Sequence, residues 1–148
     1  MGSTTGAAVF AFVAGLGGAV QIAVQARLSE RVGNFGALAC AGVVAAVTAT
    51  IVLLAARKSL DSLGAALTGP RWLLLGGLMS ALIVLSITVA GPRIGIVATT
   101  ALLICGQFAL ATVIDRFGLF GVERVAIGWP RVIGLALLAA GAVLTLRR

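Results

Sequence analysis

Gln21 and Gln25 stand one helical turn apart inside a long apolar run, and Thr100, Gln107 and Asp115 recur inside another. At 100° per residue, Thr100, Gln107, Ala111 and Asp115 lie within about 80° of one another, a single polar stripe. Thr99 points about 100° away from it. Polar groups in hydrocarbon are costly unless paired, which makes such residues default candidates for a functional site. An amide donates and accepts hydrogen bonds but does not titrate. Gln21, Gln25 and Gln107 therefore suit recognition of a solute, with the Thr100 hydroxyl beside them. Gln25 equally suits a hydrogen bond between helices, and a threonine in a membrane helix often bonds back to its own backbone.

Asp115 is the only carboxylate adjoining the interior of a run; Glu30, Asp61 and Glu123 fall in connections. A carboxylate near a helix C-terminus opposes the helix dipole, so it needs compensation. Arg116 next in the chain could supply it. So could Arg27 of a second, inverted copy. Asp115 is thus a candidate for coupling, as a proton carrier, or for gating or a dimer contact. Arg27, at the boundary of the first run, can snorkel to the surface or make that contact.

The rest of the chemical inventory is thin. The chain has no histidine and two cysteines, Cys40 and Cys105, each in the middle of an apolar run. No phosphate-binding glycine loop, no HExxH, no GxSxG and no cluster of metal ligands occurs. No enzyme activity, metal or cofactor is expected.

The elements that must hold these residues are five apolar runs, roughly 7–28, 35–56, 72–90, 94–114 and 130–146. About 20 mostly apolar residues span a bilayer as a helix. Four runs meet that directly; the fifth is shorter and needs bilayer thinning or snorkelling ends. Only 10% of residues are charged, against about 25% in soluble domains. The expected fold is an all-α integral membrane protein, one domain over 1–148 with five transmembrane helices. The net charge of +7 sits at span ends, where it meets lipid headgroups rather than nucleic acid.

Gly17 and Gly18 lie one turn before Gln21, a face suited to close helix contact or a cavity wall. Val32-Gly33-Asn34 reads as a short turn, Gly91-Pro92-Arg93 as the tightest connection, and Asp61 as the cap of a short surface helix. Asp115-Arg116-Phe117-Gly118-Leu119-Phe120-Gly121 opens a glycine-broken loop at the membrane surface. Trp72 and Trp129 begin alternate spans and so belong to one interfacial belt. The N-terminus lacks the basic region of a cleaved signal peptide, so the first run is expected to be retained.

Orientation is the least determined feature. Arg57, Lys58, Arg71, Arg116, Arg124 and Arg131 would lie on the N-terminal side, and Arg27, Arg31, Arg93, Arg147 and Arg148 on the other. Six against five gives the positive-inside rule almost nothing to act on. Insertion both ways up, followed by pairing as an antiparallel homodimer, is expected.

The run Gly17-Gly18-Ala19-Val20-Gln21 followed by Arg27 resembles the YdcZ-type membrane proteins of the drug/metabolite transporter superfamily. So do Arg71-Trp72 with Gly76-Gly77, the stretch 94–100, Gln107, and Ile114-Asp115-Arg116-Phe117-Gly118. The likeness covers essentially the whole chain in order. It implies a five-helix bacterial inner-membrane exporter, multi-pass, from a family that includes dual-topology homodimers; it identifies no substrate. A more distant resemblance is to the four-span small multidrug-resistance transporters, whose membrane-embedded glutamate in the first span has no counterpart here. The function expected is secondary transport of a small molecule by alternating access, with Gln21, Gln25, Thr100 and Gln107 lining the site. A passive channel or a non-transporting membrane subunit are the alternatives. The lipid bilayer, a second copy of the chain and an unidentified small-molecule substrate are the expected partners, with no nucleic acid.

Overall fold

The computed structural model describes residues 4–56, 64 and 69–146. Its regular elements are helices: α1 (Thr4–Ala55), α2 (Leu75–Ile94), α3 (Ile96–Phe117) and α4 (Trp129–Leu146). Single turns of 3-10 helix at Arg71–Leu74 and Leu119–Gly121 precede α2 and follow α3. Four helices among the described residues are long and apolar enough to cross a membrane. Very little of their apolar surface is buried within the chain: 6% of the most apolar eighteen-residue window of α1 and 11% of that of α3. Leu, Val, Ile and Phe side chains exposed all round a helix are the mark of a lipid-facing or partner-covered element.

The chain divides into two compact units, Met1–Ile22 with Arg93–Arg148, and Ala23–Pro92. α1, 52 residues long, is interrupted within the second unit at Gly33, whose φ of 75° and ψ of 166° are open essentially to glycine alone. In an unbroken helix, residues 25 and 37 would be about 18 Å apart along the axis. Instead the Gln25 side-chain amide donates to the Ala37 carbonyl at 3.5 Å. The chain therefore reverses at Gly33 and α1 is two arms, 4–32 and 34–55. The short turn expected at Val32-Gly33-Asn34 is one residue long.

The connection expected at Gly91-Pro92-Arg93 is not there. α2 runs through Pro92 to Ile94, and the break falls at Gly95, at φ 83° and ψ 165°, nearly the conformation of Gly33. A proline within a helix removes the amide that would serve the carbonyl four residues earlier, here that of Thr88. In this unit the hydroxyl of Ser29, in the first arm of α1, reaches that carbonyl at 3.2 Å, and also the Ala26 carbonyl at 2.8 Å. One proton serves both. The Ala26 carbonyl is mid-helix and has the amide of Glu30 to accept from; the Thr88 carbonyl has no such regular partner. Ser29 is 7% exposed and Thr88 fully buried, so an unanswered carbonyl would be out of reach of water. The proline is tolerated because a hydroxyl replaces the amide it lacks.

The first unit is organised around α3 and α4, which pack as an antiparallel pair. At one end Asp115 of α3 meets Arg131 of α4, Nη1 to Oδ2 at 2.8 Å. At the other end Ile96, Val97 and Thr100 come alongside Leu138, Gly141 and Thr145. Gly118 stops α3 with φ 63° and its N–H on the Ile114 carbonyl, the usual glycine cap. α4 has 18 residues, about 27 Å at 1.5 Å per residue, a little under the hydrocarbon thickness, as the length of the fifth run implied. Asp61, Arg57, Lys58, Arg147 and Arg148 lie outside the described residues.

Candidate functional site

Residues 4–22 of α1, with α3 and α4, border a groove of about 500 Å³. Ala19, Ile96, Val97, Ala101, Ile104, Leu137 and Gly141 form much of its wall, and Thr100 and Thr145 are its polar members. Small side chains at Ala19, Ala101 and Gly141 leave the space. Thr100 Oγ1 donates to the Ile96 carbonyl at 2.8 Å, and Thr145 Oγ1 to the Ala142 carbonyl at 2.8 Å. Both hydroxyl protons are thereby engaged within their own helices. Towards the groove these two oxygens can accept hydrogen bonds but have no proton to offer.

The other residues singled out from the sequence are dispersed. Gln107 lies on α3 two turns beyond Thr100, about 20° round the helix from it, and is exposed. Gln21 is exposed on α1, and a Cβ built on Gly17 or Gly18 would meet nothing within 4 Å. The small-residue face of the first arm is thus uncovered in the isolated chain. Gln25, by contrast, is 5% exposed and holds the Ala37 carbonyl; its geometry is that of the hydrogen bond tying the two arms together. Thr99 is buried and bonded back to the Gly95 carbonyl at 2.8 Å.

Asp115 is compensated by Arg131 rather than by its neighbour Arg116. Both side chains of that pair are about one-third exposed, so water screens it and its contribution to stability is modest. The Asp115 backbone carbonyl also accepts the N–H of Val125 at 2.9 Å. Together these two contacts fold the segment after Gly118 back along the end of α3. Arg27 pairs with Glu30 one turn on, at 3.1 Å, on the surface. Sequence reasoning missed Arg131 as the partner, and missed Ser29 with Thr88 altogether. A carbonyl four residues before a proline inside an apolar helix is the signal that would have found the latter.

No curated protein and no solved structure matches the chain at significance. The family described as "Putative inner membrane exporter, YdcZ" matches residues 6–144. That match takes in α2, α3 and the Asp115 corner whole, and all but the two outermost residues of α1 and of α4. It is a family of exporters rather than of enzymes, and the apolar helices agree with a multi-pass protein of the inner membrane. The chain belongs to the YdcZ family of inner-membrane exporters.

Proposed function

We propose that the chain works as a secondary transporter of a small organic solute, assembled as an antiparallel homodimer of five-span protomers. The spans are the two arms of α1, the segment 71–94, α3 and α4. The observation that carries the reading is the exposure of Gln21 and Gln107 on helices otherwise clothed in apolar side chains. A primary amide facing acyl chains without a partner costs several kcal/mol, so these two side chains call for a polar surface opposite them. An odd number of spans puts the ends of the chain on opposite faces, and basic residues divided six to five allow either orientation. A second copy, inverted, supplies the cover. Between the copies Gln21 and Gln107 would line a site near the midplane that alternates in access, with Thr100 reaching it from the groove. Gln25 ties the two arms of α1 together through the Ala37 carbonyl. In this assembly Arg27 of one copy lies on the same membrane side as Asp115 of the other, where exchange with Glu30 and Arg131 would let the two meet during gating.

The test is counterflow in proteoliposomes, on a substrate found by ligand-induced thermal stabilisation. Saturable flux with counterflow, abolished in Gln21→Leu and Gln107→Leu while the dimer persists, agrees with the proposal. Conductance linear in driving force would make the protein a channel. Loss of assembly without any flux in the parent protein would make it a non-transporting subunit.

A further inference from the structure

At the end of α3 the chain builds a second, positively charged pocket of about 490 Å³, bordered by Arg116, Phe117, Arg124, Val125 and Ala126. We propose that it binds the phosphate group of an anionic ligand between the guanidinium groups of Arg116 and Arg124. This inference is independent of oligomeric state and of the transport site.

The local backbone places both arginines. Arg116 projects from the last turn of α3. Gly118 then turns the chain in the left-handed conformation, and Val125 N–H returns to the Asp115 carbonyl at 2.9 Å. That return lays Arg124 across Gly118: a Cβ added there would stand 2.7 Å from Arg124 Cγ and 3.2 Å from its Nε. The root of one guanidinium is therefore held against the helix end from which the other emerges.

Neither guanidinium group has a hydrogen bond or ion pair among the described residues. Of the two carboxylates close in sequence, Asp115 is engaged by Arg131 and Glu123 does not border the pocket. The helix C-terminus contributes about half a negative charge, which two full positive charges outweigh. Arginine presents a planar fork that matches phosphate oxygens two at a time. Phe117, Val125 and Ala126 add an apolar wall, which suits a phosphate attached to lipid. The pocket closes a 22-residue apolar helix, at the depth where headgroups lie. A phospholipid headgroup and a free phosphate share this chemistry.

The test uses the delipidated full chain in a neutral detergent, titrated separately with short-chain phosphatidylglycerol, short-chain phosphatidylcholine and sodium phosphate. Adducts are read by native mass spectrometry and stabilisation by thermal unfolding. Phosphatidylglycerol should bind and raise the melting temperature, and R116Q/R124Q should weaken that binding by about tenfold or more, as expected for losing charge-assisted hydrogen bonds. R31Q/R93Q, which removes as much charge elsewhere, should leave it unchanged. An equal response to sodium phosphate assigns the site to a soluble anion; a response to phosphatidylglycerol alone assigns it to lipid. If R116Q/R124Q does not fold, R116K/R124K keeps the charge and loses the fork, and should weaken binding by about threefold or more. Absence of binding in the parent protein, an equal loss in R31Q/R93Q, or unchanged affinity in the pocket variants would overturn the proposal.

Discussion

Replacing Ser29 with alanine removes the side chain that, among the described residues, answers the Thr88 carbonyl. The carbonyl is buried and Pro92 has no amide to offer it, so truncation leaves an acceptor unsatisfied away from water. A group in that state costs about 1–3 kcal/mol. Measured side-chain hydrogen bonds inside membrane bundles average about 0.6 and reach about 1.7 kcal/mol. A loss of about 1–2 kcal/mol is therefore expected for Ser29→Ala, seen as a fall in melting temperature of about 2–8 °C for a chain of this size. The second bond of the hydroxyl, to Ala26, adds little, because that carbonyl keeps its helical amide. Pro92→Ala gives the Thr88 carbonyl an amide of its own. In that background Ser29→Ala should cost less than about 0.5 kcal/mol, so the double-mutant cycle should show a coupling of about 1 kcal/mol. The assay is reversible thermal or denaturant unfolding of the four proteins in one detergent. Additive losses would refute the idea that the serine stands in for the missing amide.

Gly33→Ala should destabilise by about 1–3 kcal/mol from its backbone conformation alone, since the added methyl meets no other side chain or packed element within 4 Å; Gly42→Ala, equally open but helical, should be neutral or slightly stabilising in the same melts. Asp115→Asn should lower stability by under about 1 kcal/mol yet speed proteolytic cleavage within 122–128, and the charge swap D115R/R131D should restore the parent cleavage rate. Thr100→Val keeps the shape of a groove wall and deletes an oxygen that can accept hydrogen bonds, so melting should change by less than about 0.5 kcal/mol while substrate-induced stabilisation falls.

Much of the fold was legible because lipid as solvent leaves a strong signal: apolar residues all round a helix, punctuated by arginine, glycine and tryptophan. The arms of α1 and the turn at Gly33 follow from that pattern. The boundary between α2 and α3 does not, because Gly91-Pro92-Arg93 has the composition of a turn, whereas the amide its proline lacks is replaced by a hydroxyl 59 residues away in sequence. Such a pairing has no periodicity to betray it. The same holds for Asp115 and Arg131, 16 residues apart across an irregular loop, where the adjacent Arg116 was the simpler candidate. The back-bonding of Thr99 and Thr100 was foreseeable from residue type. For Gln25 the residue type allowed two roles, and only the reversal of α1 brings the Ala37 carbonyl within its reach. Gln21 and Gln107 are legible as polar residues of apolar helices, but the structure leaves both exposed, and their cover belongs to the proposed second copy.

The claim on which the transport reading rests is inversion of one copy against the other. Its most direct measurement is the sidedness of both chain ends in intact and permeabilised cells, using a small epitope at each end in turn. The proposal predicts that each end is found on both faces of the membrane in comparable amounts, with the two ends of any one molecule on opposite faces. A single orientation for every copy would contradict it.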